Sequence, residues 1–297
     1  MTTAVVLSGG GSLGAVQVGM LQALTEHGVV ADMLVGTSVG AINAAWLAGS
    51  GMGPDAIGEL GEVWLRTRRQ DVFPLRPIAG LFGFAGRTDH LVAPNGLRSL
   101  LRRNLSIERL EDATVPVTVI ATEVTSGTEV ALSSGDAVDA VTASAAIPGV
   151  FPPVRIGQHV LMDGGVANNT PISHAISLGA DTIWVLSTGY ACGLAKPPRS
   201  ALGMLLQAAT LLMQRRLMID VERYKDRADL QIIPPPCPLD VSPVDFGRTF
   251  ELVNRGYQAS KEWLASGQSR RCSSTAARGS SCSSRKTRTS GGSLSCR

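Results

Sequence analysis

Short β-branched apolar runs alternate along this chain with longer stretches whose apolar positions recur at helical spacing. Thr3 to Ser8 reads as a buried strand stopped by Gly9-Gly10-Gly11. Leu13, Val16, Met20, Leu21 and Leu24 then mark one face of a helix from Leu13 to His27, and Gly28 ends it. Met33 to Val35 predicts a second strand, and Ala41 to Ala48 a second helix that stops at Gly49-Ser50-Gly51. Strand, helix, strand, helix with short turns implies parallel strands in a covered sheet.

Further along, Pro54 to Arg68 predicts a helix opened by Pro54 and Asp55. Asp71 to Gly86 has neither period and reads as a long apolar loop, either a substrate-facing cap or a segment packed under the surface. Val115 to Thr122 and Glu129 to Leu132 predict strands, and Ala137 to Ala146 a helix. The prolines and glycine of Pro148 to Pro153 exclude regular structure there. His159 to Met162 and Thr182 to Leu186 read as strands, Leu202 to Leu217 as one face of a long helix, Gln231 to Ile233 as a last strand and Phe250 to Leu264 as a closing helix.

Composition changes this picture at one place. Across 297 residues the chain is 44% hydrophobic and 17% charged, ordinary for a soluble α/β protein, and its formal charge is +3. Seven basic and no acidic residues lie from Gln268 to Arg297, so the rest carries about −4, which removes the case for a nucleic-acid partner. That Ser/Arg-rich stretch lacks apolar periodicity and is expected to be disordered, leaving residues 1–267 as one domain with a helical extension over 199–267. Three of the five cysteines lie in the tail, while Cys192 and Cys237 read as single. No disulfide framework, metal site or cofactor is expected. The start lacks a basic, long-apolar leader and no stretch suits a bilayer span, so the expected place is the cytoplasm, with any membrane contact peripheral. The sequence does not address oligomeric state.

Two glycine turns carry candidate chemistry. Gly36-Thr37-Ser38-Val39-Gly40 lies between a strand and a helix, where a serine is held on a strained turn as a nucleophile; the alternative is that Ser38 merely caps the helix. Gly9-Gly10-Gly11-Ser12-Leu13-Gly14 opens a helix after the first strand, so its N–H groups suit a phosphate or an oxyanion. Its spacing also matches a dinucleotide fingerprint. The acidic residue which that reading needs after strand two is absent, since Asp32 precedes the strand. A serine needs a base. His27, His90, His159 and His174 are candidates for a Ser-His-Asp arrangement, with His174 the one that follows a candidate acid. Asp163 ends an apolar strand before Gly164-Gly165, which places a carboxylate over the sheet edge or simply makes an Asp-Gly turn.

Gly9-Gly10-Gly11, the Ser38 pentapeptide and Asp163-Gly164-Gly165, in this order, resemble the patatin-like phospholipases. So do Ala121-Thr122-Glu123 with Gly127, the run Ser144 to Pro153, and Asn168-Asn169-Thr170-Pro171. The resemblance spans about Ala4 to Leu186. It implies a three-layer α/β/α sandwich with a mainly parallel sheet and lipid or ester substrates. It also implies acyl hydrolysis by a Ser38–Asp163 dyad through an acyl-enzyme, an oxyanion hole at Gly9, Gly10 and Gly11, and no cofactor. Gly14, Gly36, Gly40, Gly164 and Gly165 are implied as supports of these motifs. Leu13 departs from the family, whose members often carry Lys or Arg there. The readings left beside the dyad are a Ser-His-Asp hydrolase, a nucleotide-binding protein and a catalytically silent lipid-binding member.

Overall fold

The computed structural model describes residues 1–74, 90–188, 197, 201–239 and 241–267. The tail from 268 and most of the Asp71 to Gly86 loop lie outside them. Eight strands form one sheet: β1 (Thr3–Leu7), β2 (Met33–Thr37), β3 (Val117–Glu123), β4 (Glu129–Leu132), β5 (Val154–Ile156), β6 (His159–Asp163), β7 (Thr182–Leu186) and β8 (Asp229–Ile233). Their order is β5-β6-β3-β2-β1-β7-β8, with β4 pairing β3 off this path. Five strands, from β3 across to β8, are mutually parallel, whereas β4 and β6 meet β3 antiparallel and β5 meets β6 antiparallel.

Period-two alternation in β1 divides the core. Val5 and Leu7 face one apolar cluster, Ala4 and Val6 another, and all four are fully buried. The first cluster packs the sheet against α1 (Ala15–Glu26), α2 (Val39–Ser50), α3 (Pro54–Arg66) and, through Leu252 and Leu264, the helix Thr249–Ala265. The second packs it against the helix Ile172–Ser177 and, through Leu217, Val221 and Tyr224, the helix Ala201–Tyr224. The result is the three-layer α/β/α sandwich. A central strand buried on both faces has no polar side to show, so β1 reads as a continuous apolar run.

The predicted elements recur with small shifts, and four findings differ. Val154–Ile156 forms an edge strand immediately after the prolines. Asn95–Asn104 is a helix that the sequence reading passed over, with only Leu97 and Leu101 buried. The chain from Arg69 to Val72 makes a single helical turn before Phe73, so the start of the expected loop is structured. Cys237 is disulfide-bonded, which corrects the reading of it as single. Among the described residues no helix is long and apolar enough to cross a membrane.

Candidate active site

Ser38 occupies the turn between β2 and α2 with φ 55 and ψ −124, and among the described residues it is the sole non-glycine at positive φ. Such a conformation costs about 1–3 kcal/mol and persists only where surroundings impose it. The sequence supplies that constraint through Gly36 and Gly40. A Cβ on Gly36 would meet the Gly40 carbonyl and lie 2.7 Å from the Ala41 Cα, while one on Gly40 would strike the Leu7 carbonyl. Strand and helix therefore close to backbone contact, and the residue between them is forced outward. Ser144, at the end of the helix Ala137–Ser144, completes the hold. Its hydroxyl accepts the Ser38 N–H at 2.8 Å and donates to the Ile120 carbonyl at 2.5 Å, and its own carbonyl accepts the Gly164 N–H at 3.1 Å.

Asp163 arrives by an unexpected route. Rather than ending a parallel strand, it ends β6, which descends antiparallel against β3. Thr37 is level with Ile120 and Asp163 with Ala121 along the same edge of β3, because β4 fills the opposite edge at both positions. Residues 125 positions apart are thereby placed around the same point of one strand. The Ser38 hydroxyl donates to Asp163 Oδ2 at 2.7 Å, and Asp163 Oδ1 accepts the Gly165 N–H at 2.7 Å. Thr122 donates its hydroxyl to the Asp163 carbonyl at 2.9 Å, which secures the turn from below. Both Ser38 and Asp163 are 7% exposed. Burial pushes the Asp163 carboxyl up to about 6, against the opposing hydrogen bonds from Ser38 and the Gly165 amide.

Each peptide of the first glycine turn is oriented by an anchor. The Gly9 N–H donates to the Asn169 carbonyl at 3.1 Å, so it is occupied, and the expected trio of donors reduces to two. The Gly9 carbonyl accepts the Thr188 hydroxyl at 2.5 Å, and the Gly10 carbonyl accepts the Leu13 N–H at 3.3 Å. In a trans peptide N–H and C=O point in opposite directions. Anchoring those two carbonyls therefore turns the N–H groups of Gly10 and Gly11 the other way, and neither has an acceptor among the described residues. Gly11 and Ser38 line one cleft. Gly10 and Gly11 leave no room for side chains, since a Cβ would strike the Thr188 hydroxyl or the Pro243 carbonyl, and Gly11 has φ 60. Leu13, where family members often carry a cation, is 3% exposed in the apolar core.

Beneath this turn lies a fully buried polar chain. Gln17 donates to the Ser8 and Leu186 carbonyls at 2.9 and 3.1 Å, and Asn43 donates to Gln17 at 2.9 Å and to the Gly14 carbonyl at 3.1 Å. Asn43 in turn accepts the Trp64 indole N–H at 2.9 Å. Every strong polar group there is thus satisfied, which is the condition for burying it. The cleft above is walled by apolar side chains, among them Ile42 and Trp46 of α2, Leu60 and Trp64 of α3, Leu97 and Leu101 of the next helix, and Phe73, Phe151 and Phe246.

None of the four histidines has a hydrogen bond to the Ser38 hydroxyl. His159 pairs Nδ1 with Glu123 at 2.9 Å, His174 pairs Nε2 with Glu129 at 2.8 Å, His27 caps the end of α1, and His90 bridges Gly149 through its backbone. Among the described residues no cluster suited to a metal ion occurs. The supports Ser144, Gln17, Asn43, Asn169, Thr188 and Pro243 carry no signal that a single sequence displays. Ser144 and Asn169 do lie inside phrases shared with the resembling family.

A family model described as patatin-like phospholipase matches residues 5–176. An uncharacterized NTE family protein of Mycobacterium tuberculosis is 38% identical over 167 residues, covering 56% of this chain and 27% of the relative. The patatin-like phospholipase domain-containing protein 7 of Rattus norvegicus is 28% identical over 188 residues, covering 63% of this chain and 13% of its own length. The chain thus spans little more than a quarter, or less, of these relatives. The crystal structure of VipD from Legionella pneumophila aligns over 89% of this chain and 67% of that one with a TM-score of 0.47 and 17% identity. With the family model matching more than half of its residues, the chain belongs to the patatin-like phospholipase family.

Proposed function

We propose that this protein is a serine acyl hydrolase acting on lipid esters, of the phospholipase A or lipid esterase type. Asp163 takes the proton from Ser38 as the serine oxygen attacks the ester carbonyl. The resulting oxyanion is held by the N–H groups of Gly10 and Gly11. Collapse expels the alcohol, which recovers the proton from Asp163, and leaves an acyl group on Ser38. Water, deprotonated by the same carboxylate, then releases the fatty acid. The observation that carries this reading is the 2.7 Å hydrogen bond from Ser38 to a buried carboxylate raised to about 6, which is basic enough to accept a proton and still ionised near neutrality.

An apolar cleft lined by Ser38 suits an acyl chain rather than a charged group, and it fits the lipid substrates of the family. Access to such substrates calls for peripheral contact with a lipid surface and needs no spanning helix. A Ser-His-Asp reading has less support, because His159 and His174 are already paired with glutamates. Turnover of a panel of p-nitrophenyl esters and phospholipids by the protein and by Ser38→Ala tests the proposal. The substitution is expected to lower kcat on the order of 10⁴-fold or more with the fold retained. Retained activity refutes the assignment.

A further inference from the structure

Residues 241–247 pass directly over the glycine turn, beyond the stretch matched by the family model. The Pro243 carbonyl accepts the Ser12 N–H at 2.7 Å, and the Ser242 carbonyl accepts the Ser12 hydroxyl at 3.1 Å. Because the Ser12 N–H belongs to the Gly11–Ser12 peptide, the first bond orients the plane next to the two free donors. The missing Cβ of Gly11 is what allows the Pro243 carbonyl to come so close. Three residues further on, Phe246 enters the cleft. Its ring stacks on Trp64 at 6.3 Å between centroids and meets Phe73 edge-on at 6.2 Å.

The segment between these two points is braced. The Asp245 N–H donates to the Ser242 carbonyl at 2.9 Å, the Gly247 N–H donates to Asp245 Oδ1 at 2.8 Å, and the Thr249 hydroxyl donates to the Phe246 carbonyl at 3.1 Å. A braced turn of this kind moves as a unit. We propose that residues 242–246 form a strap that couples the fit of the acyl chain to the alignment of the oxyanion turn, with Phe246 as the specificity-determining residue and Ser242 and Pro243 as positioning residues. This rests on the hydrolase reading above. An acyl group that displaces the Phe246 ring shifts the Pro243 carbonyl and turns the Gly11–Ser12 peptide, so a misfit chain lowers kcat as well as raising KM. A misfit chain that only misplaces its carbonyl also loses kcat, so what identifies the strap is that the kcat effect depends on the Ser12 tether.

The test measures kcat and KM for p-nitrophenyl butyrate, octanoate and palmitate. The proteins compared are the wild type, Phe246→Ala, Phe246→Trp, Ser12→Ala and Ser12→Ala with Phe246→Ala, with Phe246→Leu read in place of any Phe246→Ala protein whose thermal unfolding shows it misfolded. Phe246→Trp is expected to lower kcat on palmitate about tenfold relative to butyrate, and Phe246→Ala to move the kcat optimum to a different chain length. Ser12→Ala removes the hydroxyl bond to the Ser242 carbonyl and keeps the Ser12 N–H bond to Pro243, so it loosens the strap, and in that background the kcat shift caused by Phe246→Ala is expected to shrink. An unchanged kcat order in both Phe246 variants, or a Phe246→Ala effect on kcat that is undiminished in the Ser12→Ala background, overturns the coupling while leaving the hydrolase reading in place. A wild type that turns over none of the three esters overturns both.

Discussion

Ser38 and Asp163 concentrate the costs of this molecule in two side chains. The serine is held at φ 55, and the carboxylate is buried with two hydrogen-bond donors and no cationic partner among the described residues. The raised carboxyl has a definite consequence for rate. If Asp163 must be ionised to accept the serine proton, kcat/KM rises with pH through about 6 and falls away below it, a profile that a set of buffered ester assays reads directly. It has a separate consequence for stability. The folded carboxyl lies above its unfolded value of 3.8, so the folded state is penalised once the group ionises, with no penalty below about pH 4 and the full cost above about 6. Asp163→Asn is therefore expected to abolish turnover yet raise stability at pH 8 by about 3 kcal/mol, a gain that urea unfolding should find shrinking toward pH 4. Both residues stood out in the sequence, because Ser38 sits between Gly36 and Gly40 and Asp163 precedes Gly164-Gly165, each at a strand end. Their distance apart was not, since it depends on β6 running antiparallel to β3.

Strands and helices were largely legible because their apolar periods are strong, and β7 runs over Thr182–Leu186 as the pattern predicted. The Asn95–Asn104 helix escaped because only two of its side chains are buried and Gly96 interrupts it. Strand β5 escaped because three residues beside prolines carry too little pattern; pairing with β6 makes it a strand. The glycines of the serine turn act through the elements they join. A methyl group at Gly40 forces β1 and α2 apart, so Gly40→Ala should cost about 1–3 kcal/mol in chemical unfolding and lower kcat further than that loss of fold explains. A stable and fully active Gly40→Ala protein would mean that the close approach is not what holds Ser38 in place. Of the expected oxyanion donors, Gly9 is already spent on the Asn169 carbonyl, and no one-dimensional pattern reveals which amide of three is turned inward.

Over the whole molecule, the site depends on chain far beyond its motifs. Thr188 orients the Gly9–Gly10 peptide, the segment 242–246 holds the Gly11–Ser12 peptide, and the helix Thr249–Ala265 covers α1 on the outer face. Behind the Asp163 turn, burial would raise the Glu129 carboxyl, but His174, Asn168 and Arg216 outweigh it and hold it at about 2. Arg216 also donates to the Ala167 carbonyl at 3.3 Å, so this cluster ties the helix Ala201–Tyr224 to the turn that carries Asp163. A protein cut after residue 188 loses β8, both long helices and the strap. It is expected to show no cooperative thermal transition, whereas 1–267 should unfold in one step. The central claim is that Asp163 activates Ser38 as a nucleophile. Labelling the intact protein with a fluorophosphonate and mapping the adduct by mass spectrometry tests it most directly. A single adduct on Ser38, formed faster as pH rises through about 6 and lost in Asp163→Asn, is the predicted result; an adduct on another residue, or undiminished labelling of the Asp163→Asn protein, would contradict it.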